Sequence, residues 1–294
     1  MSRRLKKKNG RRLNVSGVLR RLGVSRSGYN SWCEREPSKR EQHKNKIKEK
    51  ICDIYEKSHQ NYGAPKITKL LQADGERISE KTTGNYMREM GIKAQWVKPY
   101  ANTTVDSDFS SEYKNILDEN FNPDSPDAVW CSDITYIWTK EGFVYLTSIM
   151  DLFSRKIIAW TLSNTLETKW VTETINKAKK TRNIKKPLVM HSDRGRQYTS
   201  NKYAKATENF ICSYSKKAYP WDNACIESFH SLLKREWINR FKIKNYEQAY
   251  HLIFEYIETF YNTVRIHSHC GYSSPNDYEK GYWKKLKQLE INIA

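Results

Sequence analysis

Between residues 128 and 162, three runs rich in β-branched and aromatic residues follow one another with only short turns between them. The runs are Ala128–Trp138, Phe143–Met150 and Lys156–Leu162, with Gly142 before the second and Ser154 leading into the third. Successive strands joined by short turns predict an antiparallel meander. The pattern then alternates. Glu167–Lys180 carries Val171, Ile175 and Ala178 on one helical stripe, and Pro187–His191 is a short apolar strand. Ser200–Asn209 reads as a helix and Phe210–Cys212 as a short strand. Two longer helices are expected after that. Asn223–Phe241 has Ile226, Phe229, Leu233 and Trp237 on one stripe, and Tyr246–Arg265 follows. This order implies an α/β fold, a mixed sheet with helices packed on its faces.

The charge in front of this region narrows the choice of partner. Residues 1–100 hold 25 basic and 10 acidic residues, whereas residues 101–294 hold 27 and 23, within a net charge of +19. A strongly basic front end points to a polyanion, nucleic acid first and anionic membrane second. No apolar run approaches the roughly 18–20 residues that span a bilayer, so no membrane partner is expected. The basic start lacks the apolar stretch of a secretory signal. The six cysteines form no C-x-x-C pair and no tight framework, which fits a reducing, cytoplasmic setting. A hydrophobic content of 38% with 13% aromatics is enough for a packed core and argues against full disorder.

Residues 1–40 form a basic segment with one structured signal. Leu22-Gly23-Val24-Ser25 reads as a helix end, a glycine C-cap and a serine N-cap. That is the grammar of a helix-turn-helix, and equally of an ordinary helical hairpin. Residues 41–100 are expected to form a second helical unit. Ile47, Ile51, Ile54 and Tyr55 make a helical stripe, Pro65 opens a short helix, and Ser79 caps a helix from Glu80 to Met90. Gly84 inside that helix costs about 1 kcal/mol against Ala. Lys81, Thr82, Asn85 and Arg88 on it are of types that contact phosphates and base edges. The alternative is a solvated basic face. Residues 101–127, with Pro123 and Pro126, read as a linker.

Three carboxylates carry the chemistry. Asp133 sits in the middle of the first strand, where an ionised aspartate is costly unless paired or bound to metal. Asp193 follows a short apolar strand, and Gly195 beside it allows a sharp turn. Glu227 borders the apolar stripe of its helix and shares a face with Ser231 and Lys234. The plain alternatives are a paired strand aspartate, a turn aspartate and a surface charge pattern. Together the three suggest a hard cation such as Mg²⁺, with two ions acting on a phosphodiester.

With these residues in view, three segments resemble the D-D-E signature of bacterial insertion-sequence transposases. They are Trp130–Ile137, His191-Ser192-Asp193-Arg194-Gly195 with Gln197-Tyr198-Thr199-Ser200, and Trp221–Phe229. Lys234 also matches, as do Tyr261–His267, Gly271-Tyr272 and Ser274-Pro275. The chain resembles the second reading-frame product of the IS-three family, and Tyr62–Gly91 is similar to that family's helix-turn-helix. The resemblance implies a ribonuclease-H-like, retroviral-integrase-like core over residues 128–290, behind an all-helical DNA-binding region. It implies hydrolysis at an element end and attack of the freed 3′-hydroxyl on a new phosphodiester. Asp133, Asp193 and Glu227 would be both catalytic and metal-binding, holding two Mg²⁺ ions with Mn²⁺ as a substitute. DNA contacts are expected at Lys81, Thr82, Asn85 and Arg88, and at Lys216, Lys217 and Lys234. The implied partners are terminal repeats and target DNA, further copies of the chain on DNA, and an upstream-frame protein fused to or paired with it, on the bacterial nucleoid.

Two departures from the family pattern are visible. The 33 residues between Asp193 and Glu227 are slightly fewer than usual, with the shortening expected within Ala204–Ser215, and Ser132 replaces the usual Thr. Other signals are discounted. Asp151 is read as structural. His267, His269 and Cys270 lack the second cysteine pair of a zinc site, and Arg265 with His267 is expected to brace the core or touch DNA.

Overall fold

The computed structural model describes residues 14–95, 113–184, 186–216 and 219–293. The chain divides into two compact units, Met1–Asp53 and Ile54–Ala294.

In the first unit, α1 (Val15–Arg21) and α2 (Arg26–Glu34) are joined by the turn the sequence announces. Gly23 takes φ +66°, the left-handed conformation glycine adopts without steric cost. Ser25 caps α2 by accepting the Gly28 N–H at 3.0 Å. The unit boundary falls inside α3 (Lys39–Lys57).

In the second unit the end of α3 is followed by α4 (Ala64–Ala73) and α5 (Glu80–Glu89). Ser79 caps α5 through the Thr82 N–H. A Cβ at Gly84 would lie 3.7 Å from the Ala64 Cβ, an ordinary contact, so the helix pair has room for an alanine there. The buried hydroxyls of Thr68 and Thr83 bond across the same contact at 2.9 Å. The segment leading into α4 is pinned to the body of the unit. The Tyr62 hydroxyl accepts the Ile266 N–H at 2.9 Å, and Arg240 Nη1 donates to the His59 carbonyl at 2.8 Å. The His59 ring meets Trp237 edge-on at 4.7 Å.

The body is a five-stranded sheet in the order β3-β2-β1-β4-β5. The predicted meander is β1 (Val129–Thr139), β2 (Gly142–Asp151) and β3 (Lys156–Ser163), paired antiparallel. After α6 (Thr168–Thr181), β4 (Val189–Ser192) joins β1 in parallel; after α7 (Asn201–Ala206), β5 (Ile211–Tyr214) joins β4 in parallel. One core packs α6 and α7 on the sheet through Trp130, Ile149, Val171, Ile175, Met190 and Tyr203. This is the mixed α/β sheet of a ribonuclease-H-like core.

Of the two long helices expected after residue 223, the first is broken, and the second runs without a break to Tyr261 but changes type. A 3-10 turn, Pro220–Asn223, leads into α8 (Ala224–Glu236), which stops at Trp237, with φ −137° and ψ −67°, before a second 3-10 turn, Ile238–Arg240. The Trp237 indole is held by Phe260 in a stacked contact and by His59 edge-on, and this packing overrides the helical stripe. Next, α9 (Tyr246–Phe254) passes into a π-helical stretch, Glu255–Tyr261, which buries Tyr256, Ile257, Phe260 and Tyr261. The chain ends in α10 (Pro275–Ile293), for which the sequence reading had no counterpart. Among the described residues, no helix is long and apolar enough to cross a membrane.

Candidate active site

Strand register brings Asp133 and Asp193 together. In the parallel pairing of β1 with β4, Ser132 stands opposite Ser192. The residue that follows each of these serines is an aspartate, and the two strands run about 4.8 Å apart. β4 ends at Ser192, while β1 continues to Thr139 beside β2 alone. At β1 the neighbours change from antiparallel to parallel. Sites in open α/β sheets form outside strand ends at such a switch point.

Asp193 closes a tight turn, its Oδ1 accepting the Gly195 N–H at 2.9 Å. A Cβ on residue 195 would stand 3.0 Å from that same oxygen. A side chain there would press on the carboxylate rather than strain the backbone, since Gly195 is not among the residues with positive φ. Behind the site, the buried Tyr198 hydroxyl and Ser132 Oγ bond at 2.9 Å, tying the segment after Asp193 to β1.

Asp133 is tied to α8. Its Oδ2 lies 3.3 Å from Nδ1 of His230, a buried residue. A carboxylate only accepts, so Nδ1 is the donor in this contact, and Nε2 shares a hydrogen bond with Ser148 Oγ at 3.3 Å. Ser148 is the cross-strand partner of Asp133. One imidazole thus joins α8, β1 and β2 around the carboxylate. Sequence reasoning missed His230. Its signal was the spacing of three from Glu227 on one helix face, masked by apolar neighbours that make a histidine there look like core.

Glu227 lies in the first turn of α8, partly exposed, where the helix dipole favours an anion. The three carboxylates share one electrostatic field. Burial pushes Asp193 up to about 6, Asp133 adds to this, and the Gly195 N–H opposes it. Burial pushes Glu227 up to about 7, with Asp133 and Asp193 both adding. Burial draws the Lys234 ammonium below the usual lysine range, while Asp133 works against that. Its Nζ lies 4.7 Å from the centroid of the Tyr136 ring.

Three carboxylates that repel one another lack positive charge, and their donors are all hard oxygens. That chemistry fits a magnesium-type cation. Among the described residues, no group of three His, Cys, Asp or Glu is gathered closely enough to hold a metal ion as it stands. The chain presents a charge cluster rather than a closed cage.

The shifts set a pH dependence. The folded-state values of Asp193 and Glu227 lie above their ordinary values of 3.8 and 4.5. Folding therefore takes up protons at these groups, and their contribution to stability, full below about pH 4, is lost as pH rises to about 7. Without metal, the thermal midpoint should fall between pH 5 and pH 8, and fall less in Glu227→Gln. Added Mg²⁺ should raise it more at pH 8, where the cluster is deprotonated. Scanning fluorimetry at both pH values checks this; an equal Mg²⁺ effect at the two would detach the cation from these carboxylates.

The remaining predicted residues fall elsewhere. Lys81, Asn85 and Arg88 are exposed along one face of α5, opposite the buried Thr83 and Met87, and Arg88 Nη1 donates to Asn85 Oδ1 at 2.9 Å. The Thr82 hydroxyl bonds the capping Ser79 at 2.9 Å. Lys216 Nζ pairs with Asp118 at 3.0 Å, and Lys217 lies outside the described residues.

Residues read as structural are occupied. The buried Asp151 accepts from the Asp127 and Phe153 N–H groups and from Arg182. Arg265 forks onto Glu236 with two contacts of 2.7 Å and meets His267 Nε2 at 3.0 Å. His269 bonds the Phe153 carbonyl, and the Cys270 thiol donates to the Ser154 carbonyl.

Comparison with known proteins is specific. The integrase core domain family matches residues 123–216 and again 209–275, and the HTH-like domain family matches residues 42–100. The chain is 37% identical over 248 residues to the transposase for insertion sequence element IS904 of Lactococcus lactis subsp. lactis, covering 84% of this chain and 98% of that one. It is 33% identical over 270 residues to transposase InsF for insertion sequence IS3A of Escherichia coli, covering 90% and 94%. Among solved structures, the HTLV-2 integrase catalytic core domain in complex with magnesium aligns at 15% identity and a TM-score of 0.37, over 49% of this chain and 91% of that one.

Proposed function

The chain belongs to the IS-three-type insertion-sequence transposases, and from that premise we propose that Asp133, Asp193 and Glu227 are the catalytic carboxylates with which it cuts and joins DNA. The protein is a polynucleotidyl transferase that acts in DNA transposition. The observation that carries the reading of the site is the parallel register of Ser132 with Ser192, which sets two aspartates side by side at the sheet's switch point.

Asp133, Asp193 and Glu227 would hold two Mg²⁺ ions, or Mn²⁺ in their place. Bound cations there supply charge that activates an attacking oxygen and stabilises a leaving one. The protein's own groups do the positioning. His230 donates to Asp133 and keeps one of its oxygens pointed at α8. The Gly195 N–H holds Asp193 in its turn. Lys234, whose ammonium shares the field of Asp133, would take a phosphate oxygen beside the scissile bond. The attacking group is water in the first step and the freed 3′-hydroxyl in the second.

Residues 41–100 would read the element end, with residues 128–290 as the catalytic core. Lys81, Asn85 and Arg88 on the exposed face of α5 would contact phosphates and bases, with Thr82 at its start. Lys216 and Lys217 would add backbone contacts on the core side. Several copies would assemble on the paired ends on the bacterial nucleoid, with an upstream-frame protein fused to or paired with the chain.

The decisive test is incubation with duplexes carrying the flanking element ends, with and without Mg²⁺. Joined strands that require the cation are the expected products. Nicks without joining would reduce the protein to a nuclease, and no metal-dependent product would sink the catalytic reading. Binding can be tested separately on the full chain. Removing both charges in Lys81→Ala/Arg88→Ala should lower the slope of log affinity against log salt by about 2, at roughly 0.9 per phosphate contact. An unchanged slope would mean that this face of α5 is merely solvated.

A further inference from the structure

Beyond Asp133, β1 runs past the end of β4 and carries aromatic side chains into solvent. Tyr136 and Trp138, two residues apart, share a face of the strand. Phe143 of β2 is the register partner of Trp138. The Phe143 ring centroid lies 4.8 Å from that of Trp138 and 5.3 Å from that of Tyr136, both edge-on. All three are exposed, Trp138 to 63%. A cluster of large rings left in water, unlike scattered apolar residues, marks a contact surface.

The surrounding charge selects the occupant. The Lys140 N–H at the hairpin tip donates to the Ile243 carbonyl at 3.0 Å, which sets the tip against the segment Phe241-Lys242-Ile243-Lys244. Phe241, Lys140, Lys242 and Lys244 are exposed, and Glu141 is the one acidic residue in these two segments. A second copy of the chain docking by the same face would bring lysine against lysine. A polyanion with flat apolar faces, which is what a nucleic acid strand with unpaired bases offers, meets both the rings and the charge.

Position ties this surface to the chemistry. Tyr136 and Trp138 lie three and five residues beyond Asp133, about 10 and 17 Å along the strand and on its opposite face, so a DNA strand passing from Asp133 to the rings crosses the edge that β1 leaves open beyond β4. Stacked DNA advances about 3.4 Å per nucleotide, so the rings fall no fewer than about three to five steps from a phosphate at Asp133. Lys234 bridges the gap, with Nζ over the Tyr136 ring and its charge in the field of Asp133.

We infer that the outer end of the β1–β2 hairpin is a stacking platform for unpaired DNA bases next to the cleavage site. The inference rests on the DNA-cutting reading of the carboxylates. It adds a binding site for single-stranded or melted DNA, distinct from α5. Stacking on rings tolerates any base, so the platform would hold the strand without reading its sequence.

The test compares two labelled probes on the full-length chain by fluorescence anisotropy at fixed salt. One is a twelve-nucleotide oligothymidylate; the other is an abasic strand of equal length and charge. The wild type should prefer the thymidylate by about tenfold or more, because losing one stacked base costs roughly five- to 150-fold. Trp138→Ala/Phe143→Ala should lose that preference while its affinity for the abasic strand, carried by the lysines, stays unchanged. Trp138→Phe keeps a ring and should keep the preference. The unchanged abasic affinity and the single variant Trp138→Ala, which should lose part of the preference, guard against misfolding. Equal wild-type binding of both probes, or an undiminished preference in the double variant, would overturn the platform. So would sedimentation showing that the substitutions dissociate a wild-type dimer, since the surface would then be a self-interface. Metal-dependent cleavage is scored separately. Cleavage without base preference removes the platform alone; base preference without cleavage removes the catalytic reading and leaves a DNA-binding surface.

Discussion

Asp133→Asn is expected to lower cleavage of element ends by about a thousandfold or more, since cation charge stabilisation is worth several kcal/mol and each 1.36 kcal/mol is tenfold. Asp193→Asn and Glu227→Gln should do the same, with binding of the uncut end little changed. An amide keeps the shape of the side chain but not the charge a hard cation needs. The electrostatics add a second readout. Asp193 and Glu227 are raised by burial and by neighbouring carboxylates, so neutralising either relieves repulsion. Asp193→Asn and Glu227→Gln should therefore melt no lower than the wild type at pH 8 without metal. An end-labelled cleavage assay beside a thermal melt checks both. Full activity in any variant would strike that residue from the site, and a lowered midpoint would expose a structural role instead.

The second large effect is on stability and falls on Arg265. Its guanidinium is buried and forks onto Glu236, which also accepts from the Tyr256 hydroxyl at 2.8 Å. Burial alone would raise the Glu236 carboxyl, but the Arg265 fork outweighs it and holds it below the usual carboxylate range. Arg265→Met would leave an uncompensated charge in the core and should cost about 3–5 kcal/mol in urea denaturation. The double variant Arg265→Met/Glu236→Leu removes both charges and should recover most of that loss. A cost below about 1 kcal/mol for the single substitution would mean that the pair is solvated, as surface pairs are.

The meander and the two short parallel strands were legible because strand period and turn residues are local signals. The small helices around Gly23 and Ser79 were legible through their caps. What failed was long-range. Nothing in the stripe Ile226, Phe229, Leu233, Trp237 says that Trp237 leaves the helix to stack on Phe260, a contact across 23 residues of chain. The π-helical stretch is similarly a response to packing four large side chains inward. α10 did have local signals, since Ser274 Oγ accepts the Asp277 N–H beside Pro275 at the helix start and Tyr278, Tyr282, Leu286 and Leu289 recur at helical spacing. For the site, the carboxylates could be picked out one by one. Their meeting depends on which strands pair, and that order is not written in any one segment. His230 was invisible for the same reason, because its partners Asp133 and Ser148 lie on two other elements.

The register of β1 against β4 also bears on how such chains tolerate insertion and deletion. Between Asp133 and Asp193 the chain can wander through β2, β3 and α6, because backbone hydrogen bonds reset the two aspartates to neighbouring positions at the end. Between Asp193 and Glu227 no ladder does this. The return path through α7, β5 and a 3-10 turn needs only to deliver the start of α8 to the sheet. The path includes a short helix and a four-residue strand, which a lost residue or two would trim without touching the carboxylates. Counting residues between acids is thus a poor yardstick of an intact site. The sounder one is whether the strand carrying the first aspartate and the strand leading into the second still pair in step.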